Sequence, residues 1–243
     1  MKTIILCGGQ GIRMREDTEF RPKPLMAVGE KPILWHIMKI YSHYGYNKFI
    51  LPLGYKGEMI KDYFSSQVKS KTIDKFLINF IDTGLESTIG ERILRVKKFI
   101  TDNEFMVTYG DGVADVDIKD LVRFHRQQGT LGTITGVHPY SKYGLVKIDS
   151  KSKLVTAFDQ KPLLKDYISG GFMVFNKQAL NYFNSQETDD MALKKMAQAG
   201  QLSMYEHKGF WKAMDTHREM EELNQLWNQD RPWAIWEKNK TKK

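Results

Sequence analysis

Residues 5–26 read ILCGGQGIRMREDTEFRPKPLM, an apolar run that meets three glycines and then a charged stretch. Residues 2–7 are rich in β-branched side chains, which predicts a buried strand that ends where the glycines begin. Glycine lets the backbone approach a ligand closely, so the N–H groups of such a turn can face an anion. Arg13 and Lys23 follow the turn and supply cationic side chains. The segment therefore predicts an anion-binding loop after the first strand.

Three phosphate-binding patterns compete for this loop. The dinucleotide-binding pattern G-x-G-x-x-G starts at Gly9 and Gly11, but Met14 stands where close helix packing needs a third glycine. The P-loop needs G-K-[S/T] after its glycines, and this segment has none. The third pattern is a glycine loop without an immediate helix, since the following stretch holds Pro22 and Pro24 and lacks helical periodicity. A tight turn with surface charges is the structural alternative.

The composition is that of a globular protein with a basic excess. The chain has 243 residues, a formal net charge of +8 and one cysteine, Cys7. The charge favours an anionic partner such as a nucleotide, a phosphate, a nucleic acid or a membrane surface. A single cysteine cannot form an internal disulfide, which indicates a reducing compartment. No apolar run reaches the roughly 20 residues of a membrane span, so we expect a cytoplasmic protein without a membrane partner.

Strand-like and helix-like segments alternate through the first half of the chain. The alternation across residues 2–128 predicts an α/β fold with a Rossmann-like, mostly parallel central sheet and helices on both faces. Residues 131–176 then contain four strand-like runs that are joined only by turns. These runs predict a half with a mixed sheet, after which helices resume.

Four blocks of the sequence, in this order, resemble the sugar nucleotidyltransferases. The blocks are LCGGQGIRM with RPKPLMAVGEKPILWHIM, then PILWHIMKIYSHYGYNKFILPLGYKGEMIKDYF, then MVTYGDGVADVDI, and then GFWKAMDTHRE. The resemblance is strongest to the cytidylyltransferase branch that uses glucose 1-phosphate, and it covers about residues 1–236. It implies a nucleotidyltransferase of type A fold and a CTP-dependent enzyme that needs Mg²⁺.

The resemblance also implies one nucleotidyltransferase domain, residues 1–243. Residues 1–130 would be mainly the nucleotide-binding half, and residues 131–215 mainly the acceptor-binding half. Residues 216–243 would form a C-terminal helix and a basic tail.

The implied reaction joins a phosphorylated sugar or small polyol to CMP from CTP, with release of pyrophosphate. The acceptor phosphate is already an anion at neutral pH, so catalysis needs charge neutralisation and positioning more than a strong base. In the family the aspartates at the positions of Asp111 and Asp215 hold Mg²⁺. The structural alternatives are an Asp-Gly turn at Asp111 and helix capping by Asp215.

Further roles follow residue by residue from the resemblance. Arg13, Lys23 and Lys161 are the expected catalytic cations, on the leaving phosphates, the reacting centre and the acceptor phosphate. The expected nucleotide-binding residues are Leu6, Cys7, Gly8, Gly9, Gly11, Arg13, Lys23, Ser87, Gly90, Arg92, Gly110 and Asp111. The pocket for the base is expected from residues 6–8 and from the segment TGLESTIGER, residues 83–92. The expected acceptor-binding residues are Gln160, Lys161, Ser169, Gly170, Gly171 and Trp211. For Trp211, closing the core is an equal alternative.

Departures from the family pattern concentrate on the acceptor side. Gln160 stands where the family has glutamate, and Ser169 stands where the cytidylyltransferase branch has asparagine. We therefore expect a conserved type of reaction with an altered acceptor, such as a glycerol or pentitol phosphate. Glucose 1-phosphate, or another nucleotide in a related enzyme, is the alternative.

Two other classes of function remain as alternatives. The first is a non-catalytic nucleotide-binding module, which the presence of all the expected charged residues disfavours. The second is a nucleic-acid binder, suggested by the net charge, Trp233, Trp236 and the lysine tail. We expect the segment RPWAIWEK to pack on the body or on a neighbouring subunit instead, so we expect no nucleic-acid partner and regard a homo-oligomer as open.

Overall fold

The structure, a computed structural model, describes residues 1–11, 14, 18–69, 76–186 and 188–238. The helices are α1 Ile33–His43, α2 Gly57–Lys69, α3 Ile89–Val96, α4 Ile118–Gln128, α5 Asp189–Gln198, α6 His217–Asn228 and α7 Ile235–Lys238. The strands are β1 Lys2–Leu6, β2 Ala27–Val28, β3 Lys31–Pro32, β4 Lys48–Leu53, β5 Leu77–Asp82, β6 Glu104–Tyr109, β7 Gly112–Ala114, β8 Gly132–Val137, β9 Leu145–Ile148, β10 Val155–Asp159, β11 Ile168–Asn176, β12 Leu202–Glu206 and β13 Trp211–Ala213.

A seven-stranded sheet in the order β12-β8-β11-β6-β1-β4-β5 forms the centre of the molecule. Strands β6, β1, β4 and β5 run parallel to one another. Strand β11 is antiparallel to both β6 and β8, while β12 is parallel to β8. Both predictions are therefore confirmed: a mostly parallel α/β sheet in the first half and mixed pairing in the second.

Each face of this sheet carries its own hydrophobic core, because alternate residues of a strand point to opposite sides. On one face Ile5 and Met106 pack with α1 and α4. On the other face Ile4 and Phe105 pack with α3 and α5. Helices therefore cover both faces, as the alternation of segments predicted.

The C-terminal segment packs against α1. The Trp233 side chain is fully buried, and its Nε1 donates a hydrogen bond to His36 Nδ1 at 3.2 Å. Trp236 contacts Trp35 edge to face, with ring centroids 5.7 Å apart. This confirms that RPWAIWEK packs on the body, while residues 239–243 of the basic tail lie outside the described residues.

Strands β9 and β10 form an antiparallel hairpin that is separate from the central sheet. Its residues Val146, Ile148, Val155 and Phe158 are all exposed. An isolated two-stranded hairpin is marginally stable in water, so this apolar surface is a feature that needs an explanation.

No helix in the described part of the chain combines the length and the apolar character that crossing a membrane requires. The division of the chain into functional halves stays a prediction.

Candidate active site

A cleft of about 550 Å³ opens at the carboxyl ends of β1 and β6, where ligands bind in open α/β sheets. It is lined by Leu6, Cys7, Gly8, Gly9, Gln10, Gly11, Lys23, Pro24, Leu85, Glu86, Ser87, Ile89, Arg92, Tyr109, Gly110, Asp111 and Asp215. Most of the residues that the sequence assigned to the nucleotide are therefore collected in one cavity.

Close backbone approaches explain two of the glycines in this cleft. A Cβ atom added to Gly8 would lie 2.4 Å from Arg92 Nη1, and one added to Gly110 would lie 2.8 Å from Leu6 O. Gly11 adopts a positive φ of 65°, a conformation that favours glycine. By contrast, the Cα of Gly9 faces open space, since a Cβ there would meet nothing within 4 Å. The turn is thus packed on its inner side and open towards the cleft.

The two predicted metal ligands are brought together by a pair of very short strands. β7 and β13 pair antiparallel, with Gly112 opposite Ala213. Just beyond this pair, Met214 N donates to Asp111 O at 2.8 Å. Asp111 and Asp215, far apart in the sequence, consequently meet at the edge of the cleft.

The start of α6 fixes the backbone of Asp215. Thr216 is the N-cap residue and forms a capping box with Glu219. Glu219 Oε2 accepts hydrogen bonds from Asp215 N at 2.7 Å and from Thr216 N at 3.0 Å. The alternative that Asp215 itself caps the helix is therefore wrong, because Thr216 takes that position and leaves the Asp215 carboxylate for the cleft.

Loss of the Glu219 side chain is expected to impair the site without unfolding the protein. Glu219→Ala should destabilise the protein by about 1 kcal/mol, the usual value of a helix cap, and lower kcat roughly tenfold by loosening Asp215. Thermal unfolding and turnover measure the two effects. Glu221→Ala, on the exposed side of the same helix, is the matched control and should change neither. Unchanged turnover in Glu219→Ala would contradict the positioning role.

Lys23 joins the two aspartates. Its Nζ lies 2.7 Å from Asp111 Oδ2 and 2.7 Å from Asp215 Oδ1. Burial by itself lowers the pKa of Lys23, but the two carboxylates outweigh that effect and the pKa is raised. The ammonium therefore stays charged at neutral pH. Carboxylates that converge on one cation could also hold Mg²⁺, which prefers few protein carboxylates together with phosphate oxygens.

Asp111 and Asp215 suit a metal ion whose remaining coordination positions are filled by the substrate. Within the described residues there is no cluster of three or more His, Cys, Asp or Glu side chains that could bind a metal ion. Two aspartates alone would leave most of the octahedral positions of Mg²⁺ to phosphate and water. The residues present thus agree with a nucleotide-dependent site rather than a structural metal.

Arg92 organises the loop on the other side of the cleft. Its Nη1 donates to Leu53 O at 3.1 Å, Thr83 Oγ1 at 2.6 Å and Gly84 O at 2.8 Å, and its Nη2 donates to Leu85 O at 3.0 Å. Burial lowers the pKa of the guanidinium, but an arginine side chain stays protonated in proteins. Arg92 lines the cleft, but all four of these hydrogen bonds go to protein atoms. Its role in this structure is therefore to position residues 83–87.

Nearby residues of this loop take different roles. Ser87 lines the cleft while its hydroxyl donates to Thr83 O. Gly90 is buried in the first turn of α3, and Ile89 rather than Gly90 lines the cleft. Across the opening, Gln10 Nε2 lies 3.4 Å from Glu86 Oε1, which links the glycine loop to this loop.

The predicted acceptor residues separate into two groups. Trp211 Nε1 donates to Gly170 O at 2.8 Å, and a Cβ on Gly171 would lie 2.5 Å from Tyr109 Cδ2. Gly171 therefore packs against Tyr109, which lines the cleft, and Trp211 is linked to the neighbouring Gly170.

The other acceptor residues lie elsewhere. Gln160, Lys161 and Ser169 are exposed and do not line the described cleft. Gln160 instead follows β10, at the base of the hairpin. Their assignment to the acceptor stays a prediction, and within this one chain they do not join the cavity.

Arg13 and Cys7 complete the set of predicted nucleotide-binding residues. Arg13 lies outside the described residues, so its predicted role stays untested. Cys7 is buried, and burial raises the pKa of its thiol to about 12. The thiol is therefore protonated at neutral pH and contributes to the cleft as a wall rather than as a nucleophile.

Sequence reasoning missed several residues of the lining. They are Gln10, Pro24, Leu85, Glu86, Ile89 and Tyr109. Leu85, Glu86 and Ile89 belong to the segment TGLESTIGER, residues 83–92, and the other three are direct neighbours of assigned residues. The base pocket was expected from that whole segment, but within it only Ser87, Gly90 and Arg92 were assigned individually.

Known proteins resemble this chain in sequence and in fold. The nucleotidyl transferase family profile matches residues 2–229. The chain is 40% identical over 256 residues to a Bacillus subtilis protein named "Probable glucose-1-phosphate cytidylyltransferase", covering 97% of this chain and 100% of that protein. It is 39% identical over 259 residues to glucose-1-phosphate cytidylyltransferase of Salmonella typhimurium, covering 98% and 100%.

A solved structure of UDP-glucose pyrophosphorylase with UDP-glucose shares the fold, with a TM-score of 0.72, 16% identity and coverage of 95% of this chain and 99% of that one. The four sequence blocks, the α/β sheet and the family profile agree. The chain belongs to the nucleotidyl transferase family.

Proposed function

We propose that the protein is a cytidylyltransferase that transfers CMP from CTP to a phosphorylated sugar or small polyol. The relatives at 39–40% identity carry cytidylyltransferase names, which supports CTP as the nucleotide. The observation that carries the proposal is the convergence of Asp111, Asp215 and Lys23 on one cleft beside the glycine loop. We further propose that the CDP-linked product serves the synthesis of a surface polysaccharide.

The reaction needs positioning and charge neutralisation rather than a strong base. An oxygen of the acceptor phosphate attacks the α-phosphorus of CTP, and the bond to the β-phosphate oxygen breaks as pyrophosphate leaves. The open face of the glycine loop presents backbone N–H groups to the triphosphate, and Lys23 can bind the phosphates at the reacting centre. Asp111 and Asp215 would hold Mg²⁺, which supplies charge neutralisation when bound.

The direct test is release of pyrophosphate from each nucleoside triphosphate with a panel of acceptors. CTP should be preferred over UTP, dTTP and GTP. No release with any nucleotide and any acceptor would favour the non-catalytic binding module and end the proposal.

The same panel decides the acceptor. Gln160 and Ser169 depart from the family pattern, so we expect a glycerol or pentitol phosphate to give the highest kcat/KM. The names of the relatives favour glucose 1-phosphate as the second candidate. A clear best rate with glucose 1-phosphate would establish that candidate instead.

We also propose that the protein acts as a homo-oligomer in the cytoplasm, without a membrane or nucleic-acid partner. The buried, unpaired Cys7 suits a reducing compartment. The hairpin β9–β10 exposes an apolar face made by Val146, Ile148, Val155 and Phe158. A second copy is the fitting occupant, because the acceptor residues Gln160 and Lys161 lie at this hairpin and outside the cleft of their own chain.

This assembly has a simple test by light scattering after size-exclusion chromatography. The wild type should elute with a mass above the 28.3 kDa of one chain. Phe158→Glu places a charge on the apolar face and should shift the protein towards the monomer. Lys151→Glu, in the turn of the same hairpin, is the control and should leave the assembly intact. A monomeric wild type would contradict the proposal.

A further inference from the structure

The two carboxylates of the candidate metal site share one internal cation. Lys23 Nζ contacts Asp111 Oδ2 and Asp215 Oδ1 at 2.7 Å each, and the Lys23 side chain is only 13% exposed. Ion pairs in such partly shielded positions attract more strongly than pairs in open water. The ammonium therefore already neutralises charge that would otherwise attract a divalent ion.

The backbones of all three residues are held in place. Lys23 begins the one-turn 3-10 helix Lys23–Leu25, follows Pro22, and accepts a hydrogen bond from Met26 N at 3.0 Å. The Asp111 and Asp215 backbones are fixed by their bonds to Met214 and Glu219. The flexible four-carbon stem of the lysine is then the part that can leave, so exchange of the ammonium needs no movement of the backbone.

A divalent ion and this ammonium compete for the same oxygens. Both cations between the same two carboxylates would repel each other at close range. A nucleoside triphosphate offers phosphate oxygens to which the ammonium can move. The nucleotide would then free the carboxylates for the metal, and such coupling between two ligands is reciprocal.

We propose that Lys23 is an exchangeable counter-ion that keeps a divalent ion out of the site until a nucleoside triphosphate binds. In the free protein the ammonium holds Asp111 and Asp215 close together despite their like charges. When the triphosphate binds, the ammonium moves to its phosphates and the carboxylates receive the ion. The proposal rests on the metal-ligand role of the aspartates in the proposed function, and it predicts that metal and nucleotide enter together.

Binding of Mn²⁺ alone to the full chain, followed by electron paramagnetic resonance without any nucleotide, tests this exchange. Lys23→Met should bind Mn²⁺ at least about tenfold more tightly than the wild type, because the competing charge is gone. Lys212→Met is the matched control. Lys212 lies on β13 but pairs with Glu222 at 2.6 Å, so its loss should change Mn²⁺ affinity by no more than about twofold.

Two results of the Mn²⁺ measurement would overturn the proposal. Equal Mn²⁺ affinity in Lys23→Met and the wild type overturns the proposal, and so does an equal gain in Lys212→Met, which would show a general effect of charge. Thermal unfolding checks that each variant is folded, and Lys23→Gln replaces Lys23→Met if the latter is not. Because this assay contains no nucleotide, a failure of pyrophosphate release would remove the proposed function without changing the Mn²⁺ result.

Discussion

Asp111→Asn is expected to lower kcat by roughly 10²–10³-fold, the effect of losing one preorganised electrostatic contact to a transition state. Asparagine has the same shape but no charge, and Lys23 keeps Asp215 as a partner. The Asp111 carboxylate is 30% exposed, so folding should change little. Pyrophosphate release at saturating CTP, Mg²⁺ and acceptor measures the loss, and thermal unfolding confirms the fold.

A matched control removes the same charge elsewhere. Asp230→Asn lies just after α6, is exposed and does not line the cleft, so its turnover should equal that of the wild type. Turnover of Asp111→Asn within a factor of two of the wild type would exclude Asp111 from the chemistry. It would also remove the metal role that the proposed function gives to this pair of aspartates.

The sheet could be predicted from the sequence because its signals are local. Strands β1, β4, β5 and β6 are short apolar runs, and the helices between them carry apolar faces at helical spacing. The mixed pairing of β11 followed from strand-like runs with only turns between them. Such patterns depend only on residues that are close in the sequence, so a single sequence is enough to predict them.

The convergence of Asp111 and Asp215 could be expected only from the resemblance. The pair β7 and β13 that brings them together has three residues in each strand, too short for a periodic signal. The alternative of an N-cap at Asp215 was wrong by one residue, because Asp and Thr are both good caps. The choice between them depends on Glu219, whose side chain reaches back to both backbone N–H groups.

The acceptor side could be predicted least. Gln160 and Lys161 were assigned from the resemblance, but in one chain they lie beside the hairpin rather than in the cleft. A sequence motif states which chemistry is present and not which cavity, or which copy of the chain, receives it. The same holds for Arg92. Its charge can be read from the sequence, but the carbonyl and hydroxyl groups that accept its hydrogen bonds cannot.

Arg92→Met is expected to destabilise the protein by about 3 kcal/mol or more and to raise the KM for CTP. Arg92 is 4% exposed, and methionine removes the donor to Gly84 O and Leu85 O, while Leu53 O keeps its hydrogen bonds from Thr83 N and Thr83 Oγ1. Each buried polar group that loses its partner costs roughly 1–3 kcal/mol. The loop of residues 83–87 would lose the contacts that shape one wall of the cleft.

Arg95→Met provides the comparison, because Arg95 lies one turn further along α3 and also donates to this loop, at Thr83 O. Its side chain is 50% exposed and its main partner is Glu91 on the same helix, so its loss should cost no more than about 1 kcal/mol. Urea unfolding measures the free energy of unfolding of both variants, and initial rates at varied CTP give both KM values.

If Arg92→Met were as stable as Arg95→Met while its KM for CTP rose, Arg92 would act on the nucleotide directly. If stability fell and KM stayed constant, the loop would not contact the base, and the base pocket expected from residues 83–92 would have to lie elsewhere.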